Sequence, residues 1–236
     1  MAEVIGFVAG KGGMGKTAMC AAVAEELASL GKRVLCIDCQ AVYGYLDAYL
    51  RLEPMPHLTY AEVCRGVFPL EKASAHPVLS KLRFLAAPAT QVQEDPAAFA
   101  ALLRQALMQF DYILLDDPQA YMSADRYLLV TAADPAAIRG ARRKADALEV
   151  QGKQNVRLLV NRIDPKVLQA LELTVDDVMD QVGLPLLGIV PEDQGVMFTC
   201  AKGKHAHSKK TGAFAAAERI ARRITGQTVA IPARVL

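Results

Sequence analysis

The sequence predicts an α/β domain with a mainly parallel, twisted sheet covered by helices on both faces. Continuous apolar runs alternate with helical patterns along the chain, which is the arrangement that buries a parallel sheet between helices. The connection after the first apolar run is rich in glycine and leads directly into a helical pattern. The length of 236 residues suits one such domain, and a hydrophobic content of 53% supplies a large core.

Strands are predicted where an uninterrupted apolar run lies between helical patterns. They cover residues 4–9, 33–38, 83–87, 111–116, 127–131, 156–160 and 184–190. Helix starts are marked by Thr59 and Glu62, which have the spacing of a capping box, and by Asp95 and Asp134, which each precede a proline. The predicted helices follow the glycine-rich loop as far as 31, begin at 59, 95 and 134, follow 174, and cover 212–225. We find no internal repeat or long linker, so we predict one domain over 1–225 and a short tail over 226–236.

The glycine-rich connection fits the phosphate-binding pattern G-x-x-x-x-G-K-[ST] of P-loop nucleotidases. It consists of Gly10, Lys11, Gly12, Gly13, Met14, Gly15, Lys16 and Thr17. Glycines let several backbone N–H groups converge on phosphate oxygens at the start of the next helix. Lys16 would then reach the β- and γ-phosphates, and the Thr17 hydroxyl would help to hold Mg²⁺. The predicted fold is therefore that of a P-loop NTPase, the alternative being a glycine-rich turn without a ligand.

Lys11 gives the loop a lysine in addition to Lys16, and it narrows the class of P-loop protein to which the chain could belong. With it the loop resembles the deviant Walker A loop of the MinD/ParA family, closest to the MinD branch. In that family the early lysine crosses a dimer interface and touches the partner's nucleotide. The resemblance therefore implies an ATP-dependent homodimer, whereas the alternative for Lys11 alone is a solvated loop lysine.

The resemblance extends over residues 1 to about 225. Asp38 stands at the first position of the family's switch after the second strand, Asp116 ends its Walker B strand, and 187–194 is very similar to the MinD pattern. It implies that Thr17, Asp38 and Asp116 hold Mg²⁺ and that catalysis involves Lys11, Lys16, Asp38 and Gln40. The implied ATP or ADP contacts are residues 10–17 together with Ala18, Asn161, Arg162, Pro191, Glu192 and Asp193. A turn-forming role is the alternative for Asn161 and Asp116.

Three departures from the family pattern bear on activity. Gln40 replaces the switch carboxylate that orients the attacking water, and an amide can position water but cannot accept a proton. Ala18 replaces a hydroxyl residue. The run 117–120 lacks a hinge glycine and gains Asp117. We therefore expect nucleotide binding to be retained and hydrolysis to be slow.

Composition excludes several other classes. A net charge of +2 gives no global field for nucleic acid, and no apolar run reaches the roughly 20 residues of a membrane span. Five cysteines without an export signal indicate reduced thiols and a cytoplasmic protein. Cys36 and Cys39 would point to opposite faces of a strand, which argues against redox or metal chemistry. A metal site at Cys200, His205 and His207 is the weaker alternative to a solvated loop.

The leading hypothesis is a MinD-like switch ATPase for positioning the cell-division site or a cargo. It would form a homodimer with ATP, act with a protein regulator or cargo adaptor, and reach the membrane only through a partner, since the C-terminal segment predicts no membrane-inserting helix. The first alternative is a nucleotide-binding scaffold with little or no ATPase activity. The second is a ParA-like DNA-partitioning ATPase with a basic patch formed by Lys202, Lys204, Lys209, Lys210, Arg139, Arg142, Arg143 and Lys144. A metal-insertion or iron–sulfur assembly ATPase is less well supported, because the cysteines are poorly placed.

Overall fold

The structure is a computed structural model that describes residues 2–93, 95–196 and 212–231. The α/β fold class is confirmed, with mainly parallel strands and helices in most of the connections between them. The chain divides into two compact units, Met1–Phe7 with Thr17–Asp125 and Val8–Lys16 with Arg126–Leu236. The domain limits at 225 and 226 stay a prediction.

In the part of the first unit that the structure describes, there are five strands and four helices. Its strands are β1 (Glu3–Ala9), β2 (Val34–Asp38), β3 (Ser74–Ala75), β4 (Leu82–Leu85) and β5 (Tyr112–Asp116). Its helices are α1 (Lys16–Ser29), α2 (Leu46–Tyr49), α3 (Tyr60–Cys64) and α4 (Pro96–Gln109), with a 3₁₀ turn at Leu70–Lys72. The strand order is β3-β4-β2-β5-β1, and all pairs are parallel except β3 with β4. The last two residues of β1 and the first of α1 belong to the second unit.

Side chains alternate between the two faces of the sheet along β2 and β5. This alternation places the hydrophobic core of the first unit on one face and the carboxylates at the strand ends on the other. Leu35 and Ile37 of β2 and Ile113 and Leu115 of β5 pack into one cluster with α3 and α4, in which the Tyr60 and Phe99 rings meet edge to face at 5.7 Å. Residues at the intervening positions of a strand face the other side of the sheet. The carboxylates that end β2 and β5 therefore lie on the face opposite this cluster.

The described residues of the second unit form three parallel strands, in the order β6-β7-β8. Its strands are β6 (Arg126–Thr131), β7 (Val156–Ile163) and β8 (Leu186–Pro191). Its helices are α5 (Pro135–Val150), α6 (Pro165–Ala170), α7 (Val175–Val182) and α8 (Gly212–Ile224). The predicted apolar stripe of α8 is buried, and Gly188 of β8 leaves room for Ile220, since an added Cβ would lie 2.6 Å from Ile220 Cγ1.

The structure corrects several predicted boundaries. β4 ends at Leu85, because the chain leaves the sheet ahead of Pro88, and β8 begins at Leu186, after Pro185. β7 continues to Ile163 rather than ending at 160. α2, α6 and β3 were not predicted. Within the described ranges, no helix is long and apolar enough to cross a membrane.

Candidate functional site

The glycine-rich loop between β1 and α1 depends on glycine at two positions. Gly13 has φ +79° and Gly15 has φ +83°, which lie in the left-handed region that side chains disfavour. Lys16 follows as the first residue of the 14-residue helix α1, and Lys11 is exposed in the loop. The first amides of a helix have no intrahelical partner, so this geometry leaves N–H groups available to an anion.

The start of the loop is in close backbone contact with α5. A Cβ added at Gly10 would lie 2.0 Å from the carbonyl oxygen of Gly140, which no real side chain could tolerate. Gly10 therefore has to be glycine for a packing reason as well as for phosphate access. Sequence reasoning did not identify Gly140, although an isolated glycine inside a helical pattern is a signal of such an approach.

Asn161 contacts the middle of the same loop. Its side chain is almost fully buried, and its Nδ2 donates a hydrogen bond of 2.8 Å to the carbonyl oxygen of Met14. A Cβ added at Gly15 would lie 2.3 Å from this Nδ2 atom. The structure thus brings Asn161 to the phosphate-binding loop, and the predicted contact with an adenine edge stays a prediction.

A bulge at the end of β7 aims Asn161 at the loop. Val160 pairs with Ile189 and Ile163 pairs with Pro191, so β7 has one more residue than β8 between these pairs. Arg162 takes φ +58° at the bulge, and its Nε donates to Glu192 Oε2 at 2.7 Å. The structure therefore brings Arg162, Pro191 and Glu192 together, and their predicted nucleotide contacts stay a prediction.

The Asp193 carboxylate accepts backbone amides at the start of two helical segments. Its Oδ1 accepts from the Gly195 amide at 2.8 Å, and its Oδ2 accepts from the Ala213 amide at 3.0 Å. This is the bonding of a helix-capping carboxylate. The structure gives Asp193 a local structural role, and its predicted nucleotide contact stays a prediction.

Asp38 organises the loop that follows β2. Its buried carboxylate accepts the Gln40 amide through Oδ1 and the Leu46 amide through Oδ2, each at 3.0 Å. A Cβ added at Gly44 would lie 2.5 Å from Asp38 Oδ2, so the loop folds closely around the carboxylate. Val42 takes φ +72° here, and this is a strained conformation for a β-branched residue.

Asp116 lies level with Asp38 on the neighbouring strand. The two residues are register partners in the β2–β5 pair, and Asp116 is 1% exposed. Side chains at matched positions of parallel strands leave the sheet on the same face, so both carboxylates lie on one side. Two carboxylates and the Thr17 hydroxyl are hard oxygen donors that suit Mg²⁺, which retains several waters of its own.

The loop after β5 is tied to β1 and to the loop after β2. The Asp117 amide donates to the Phe7 carbonyl at 3.0 Å, and Gln119 Nε2 donates to the Cys39 carbonyl at 3.5 Å. Asp117 takes φ +59°, a conformation that Asp adopts more readily than most residues. The altered run 117–120 is thus in contact with the loop that holds Gln40.

A buried ionic cluster that the sequence did not predict lies in the first unit. Glu25 of α1 is fully buried, and Arg51 Nη2 donates to both of its carboxylate oxygens, at 3.1 and 3.0 Å. His76 Nδ1 accepts the Leu79 amide at 3.0 Å, and His76 Nε2 lies 3.4 Å from Glu25 Oε1. Through Glu25 and Arg51, the cluster connects α1 to the chain just after α2.

Within the described ranges, no cysteine is part of a disulfide. Cys39 packs into the cluster on one face of β2 and Cys36 lies outside that cluster, so the predicted divergence of the pair is confirmed. Cys64 is half-buried, and burial raises its pKa to about 11.

The possible metal residues Cys200, His205 and His207 lie outside the described residues. Within the described ranges, no cluster of His, Cys, Asp and Glu suits a metal ion by itself.

Only half of the predicted basic patch can be located. Arg139, Arg142 and Arg143 are exposed on α5, and Arg142 forms an ion pair of 2.9 Å with Asp146. Lys144 is half-exposed on the same helix. The other four members, Lys202, Lys204, Lys209 and Lys210, lie outside the described residues.

Known proteins share both the sequence pattern and the fold. The family described as the CobQ/CobB/MinD/ParA nucleotide binding domain matches residues 5–206. The septum site-determining protein MinD of Synechocystis sp. is 32% identical over 245 residues, covering 97% of this chain and 91% of that protein. The putative septum site-determining protein MinD of Nephroselmis olivacea is 34% identical over 243 residues, covering 95% and 87%. A chain of the Aquifex aeolicus MinC:MinD cell division protein complex is 30% identical with a TM-score of 0.88, covering 98% of each chain.

Proposed function

This chain belongs to the CobQ/CobB/MinD/ParA nucleotide-binding family, and we therefore propose that it is a MinD-like ATPase whose dimerisation is controlled by ATP. The observation that carries the proposal is the geometry of the glycine-rich loop. Gly13 and Gly15 take left-handed conformations, Lys16 begins α1, and Lys11 is exposed. Lys16 would bind the chain's own nucleotide, and Lys11 would reach the nucleotide of a second copy.

The residues at the ends of β2 and β5 would supply the metal and switch chemistry. Mg²⁺, when bound with ATP, would neutralise charge on the phosphates and would be held by Thr17, Asp38 and Asp116. Asp38 also bonds to the Gln40 and Leu46 amides, so a change at the metal would alter the loop that contains Gln40. This linkage gives the γ-phosphate a route to the switch loop.

Light scattering coupled to size exclusion tests the proposal. We expect the parent protein with ATP to elute as a dimer and with ADP as a monomer. Lys11→Ala is expected to bind ATP normally but to stay monomeric, because the lost contact is with the partner's phosphates. Lys16→Ala, the matched lysine of the same loop, is expected to lose ATP binding itself. Normal ATP-driven dimers from Lys11→Ala would contradict the assignment of Lys11.

A scaffold that binds nucleotide without useful hydrolysis is the second candidate. It is favoured by Gln40, whose amide cannot accept a proton from water, and by the altered run 117–120. Measuring ATP binding and ATP turnover on the same preparation separates the two functions. Binding without measurable turnover would select the scaffold.

Partner and location follow from the same proposal. A MinD chain in the Aquifex aeolicus structure is part of a complex with MinC, and we propose a protein regulator or cargo adaptor for this chain as well. We propose a cytoplasmic protein that reaches the membrane through such a partner.

The basic residues of α5 offer a nucleic-acid surface in the ParA-like alternative, but the ion pair of Arg142 with Asp146 reduces the positive charge of that surface. ATP-dependent, salt-sensitive DNA binding would support that alternative.

A further inference from the structure

We propose that Asn161 is a positioning residue for the phosphate-binding loop and that it acts on the phosphates of the nucleotide rather than only on its base. The inference rests on the proposed nucleotide binding and names a role for Asn161 that differs from the expected reading of adenine. Its basis is the hydrogen bond from Asn161 Nδ2 to the Met14 carbonyl oxygen.

The peptide between Met14 and Gly15 explains how this bond reaches the ligand. A trans peptide is planar, and its C=O and N–H groups point in opposite directions. Because Asn161 holds the Met14 carbonyl on one side of the loop, the Gly15 N–H is directed to the other side. The amides of such loops are the groups that bind phosphate oxygens. Asn161 therefore fixes the direction of a phosphate-binding donor without touching the phosphate.

Two further observations show that this contact is built into the fold. Gly15 has no side chain to separate the loop from Asn161, and an added Cβ would lie 2.3 Å from Nδ2. The extra residue in β7 turns Asn161 inward, and on its exposed side the bulge is held by the pair of Arg162 with Glu192. Asn161 is 7% exposed, so water competes little for the Met14 carbonyl.

The test uses a ligand that has phosphates and no base. Calorimetry would measure binding of Mg²⁺-tripolyphosphate, ATP and GTP to the full chain. Asn161→Ala removes the donor without adding charge, and Asn161→Asp keeps the shape but replaces the donor by an acceptor. Asn155→Asp is the matched control, because it makes the same charge change in an exposed residue just before the same strand.

We expect both Asn161 variants to bind tripolyphosphate and ATP more weakly by a similar factor, about tenfold for one buried hydrogen bond. The ratio of ATP to GTP affinity is expected to stay at its parent value, and Asn155→Asp is expected to bind like the parent. Melting without ligand identifies which variants fold, and Asn161→Ala decides the question if Asn161→Asp does not fold.

Unchanged tripolyphosphate affinity in a folded Asn161 variant would overturn the inference. If ATP affinity and the ATP-to-GTP ratio fell in that variant, Asn161 would be a reader of the base. A parent protein that binds neither tripolyphosphate nor ATP would overturn the proposed function itself. The two failures are therefore distinguishable.

Discussion

Gly10 shows how strictly one residue can be determined by a distant part of the chain. Its Cα faces the backbone of Gly140, so no side chain fits. Glycine is the first residue of the phosphate-loop pattern, and packing against helix α5 requires glycine at the same position. Such a double requirement is visible only in three dimensions.

Gly10→Ala is expected to lower the free energy of unfolding by roughly 3 kcal/mol, because the new methyl group would overlap the Gly140 carbonyl. Gly12→Ala is the matched control, since an added Cβ at Gly12 meets nothing within 4 Å. It is expected to change the stability of the ligand-free protein by less than about 0.5 kcal/mol. Urea unfolding without nucleotide measures both. Equal losses in the two variants would contradict the close contact.

Gln40 is the residue on which the rate depends most in the proposed mechanism. Its backbone is fixed by Asp38, so a side chain at this position stays close to the proposed metal ligand. Gln40→Asp restores a carboxylate and is expected to raise single-turnover ATP hydrolysis by about tenfold, below the usual 10²–10⁴-fold of general-base catalysis because Asp117 and Ala120 remain. ATP affinity is expected to change little. A mutant no faster than the parent would show that chemistry is limited elsewhere.

At the scale of elements, the buried cluster of Glu25, Arg51 and His76 joins the phosphate-loop helix to the chain just after α2. Asp38 fixes the start of α2 by bonding to the Leu46 amide, and Arg51 fixes the chain just after α2. The loop over 39–45 is therefore anchored at both ends, and the exposed residues Tyr43 and Tyr45 lie between the anchors. In the proposed mechanism, this loop would rearrange while both anchors stay in place.

Arg51→Met is expected to destabilise the protein by about 3–5 kcal/mol, because it leaves the Glu25 carboxylate buried without its strongest partner. The control is Arg33→Met, which removes an exposed arginine from its pair with Asp111. It is expected to cause a much smaller loss, since water solvates both groups. Thermal and urea unfolding of the two variants give the comparison. Similar losses would mean that the buried pair contributes no more than a surface pair.

Local patterns predicted most elements but not the details that build the site. The capping box at Thr59 and the Asp-Pro starts at Asp95 and Asp134 are confirmed, because these signals act within one helical turn. The same signal at Asp164 and Pro165 begins α6 and was overlooked. The bulge in β7 could not be read from the sequence, since it depends on pairing with β8. The partners of Glu25 and Gly10 are also distant in sequence.

At the scale of the whole molecule, acid stability is set in part by carboxylates that accept hydrogen bonds in the fold. The Thr59 amide lowers the pKa of Glu62, the Arg33 guanidinium lowers the pKa of Asp111, and the Thr174 hydroxyl lowers the pKa of Asp177. A lowered pKa in the folded state stabilises the protein above the unfolded value of about 4. That stability is lost as the pH falls through the folded pKa.

The free energy of unfolding is therefore expected to fall as the pH is lowered below about 4. A triple variant with Glu62→Gln, Asp111→Asn and Asp177→Asn is expected to lose less stability than the parent between pH 6 and pH 3, because three of the titrating groups are gone. Urea unfolding at both pH values measures the difference. An equal decline in parent and variant would show that other carboxylates account for the acid sensitivity.

The burial of the thiols has a consequence for labelling chemistry. Cys20, Cys36 and Cys39 are inaccessible, and a pKa of about 11 leaves Cys64 almost entirely protonated at neutral pH. Maleimides and disulfides react with accessible thiolates, so these four thiols react slowly. A cysteine placed at the exposed Tyr43, in a chain that also has Cys200→Ser, would be modified selectively. A fluorophore there would report the state of the loop after Asp38 while the native core cysteines are kept.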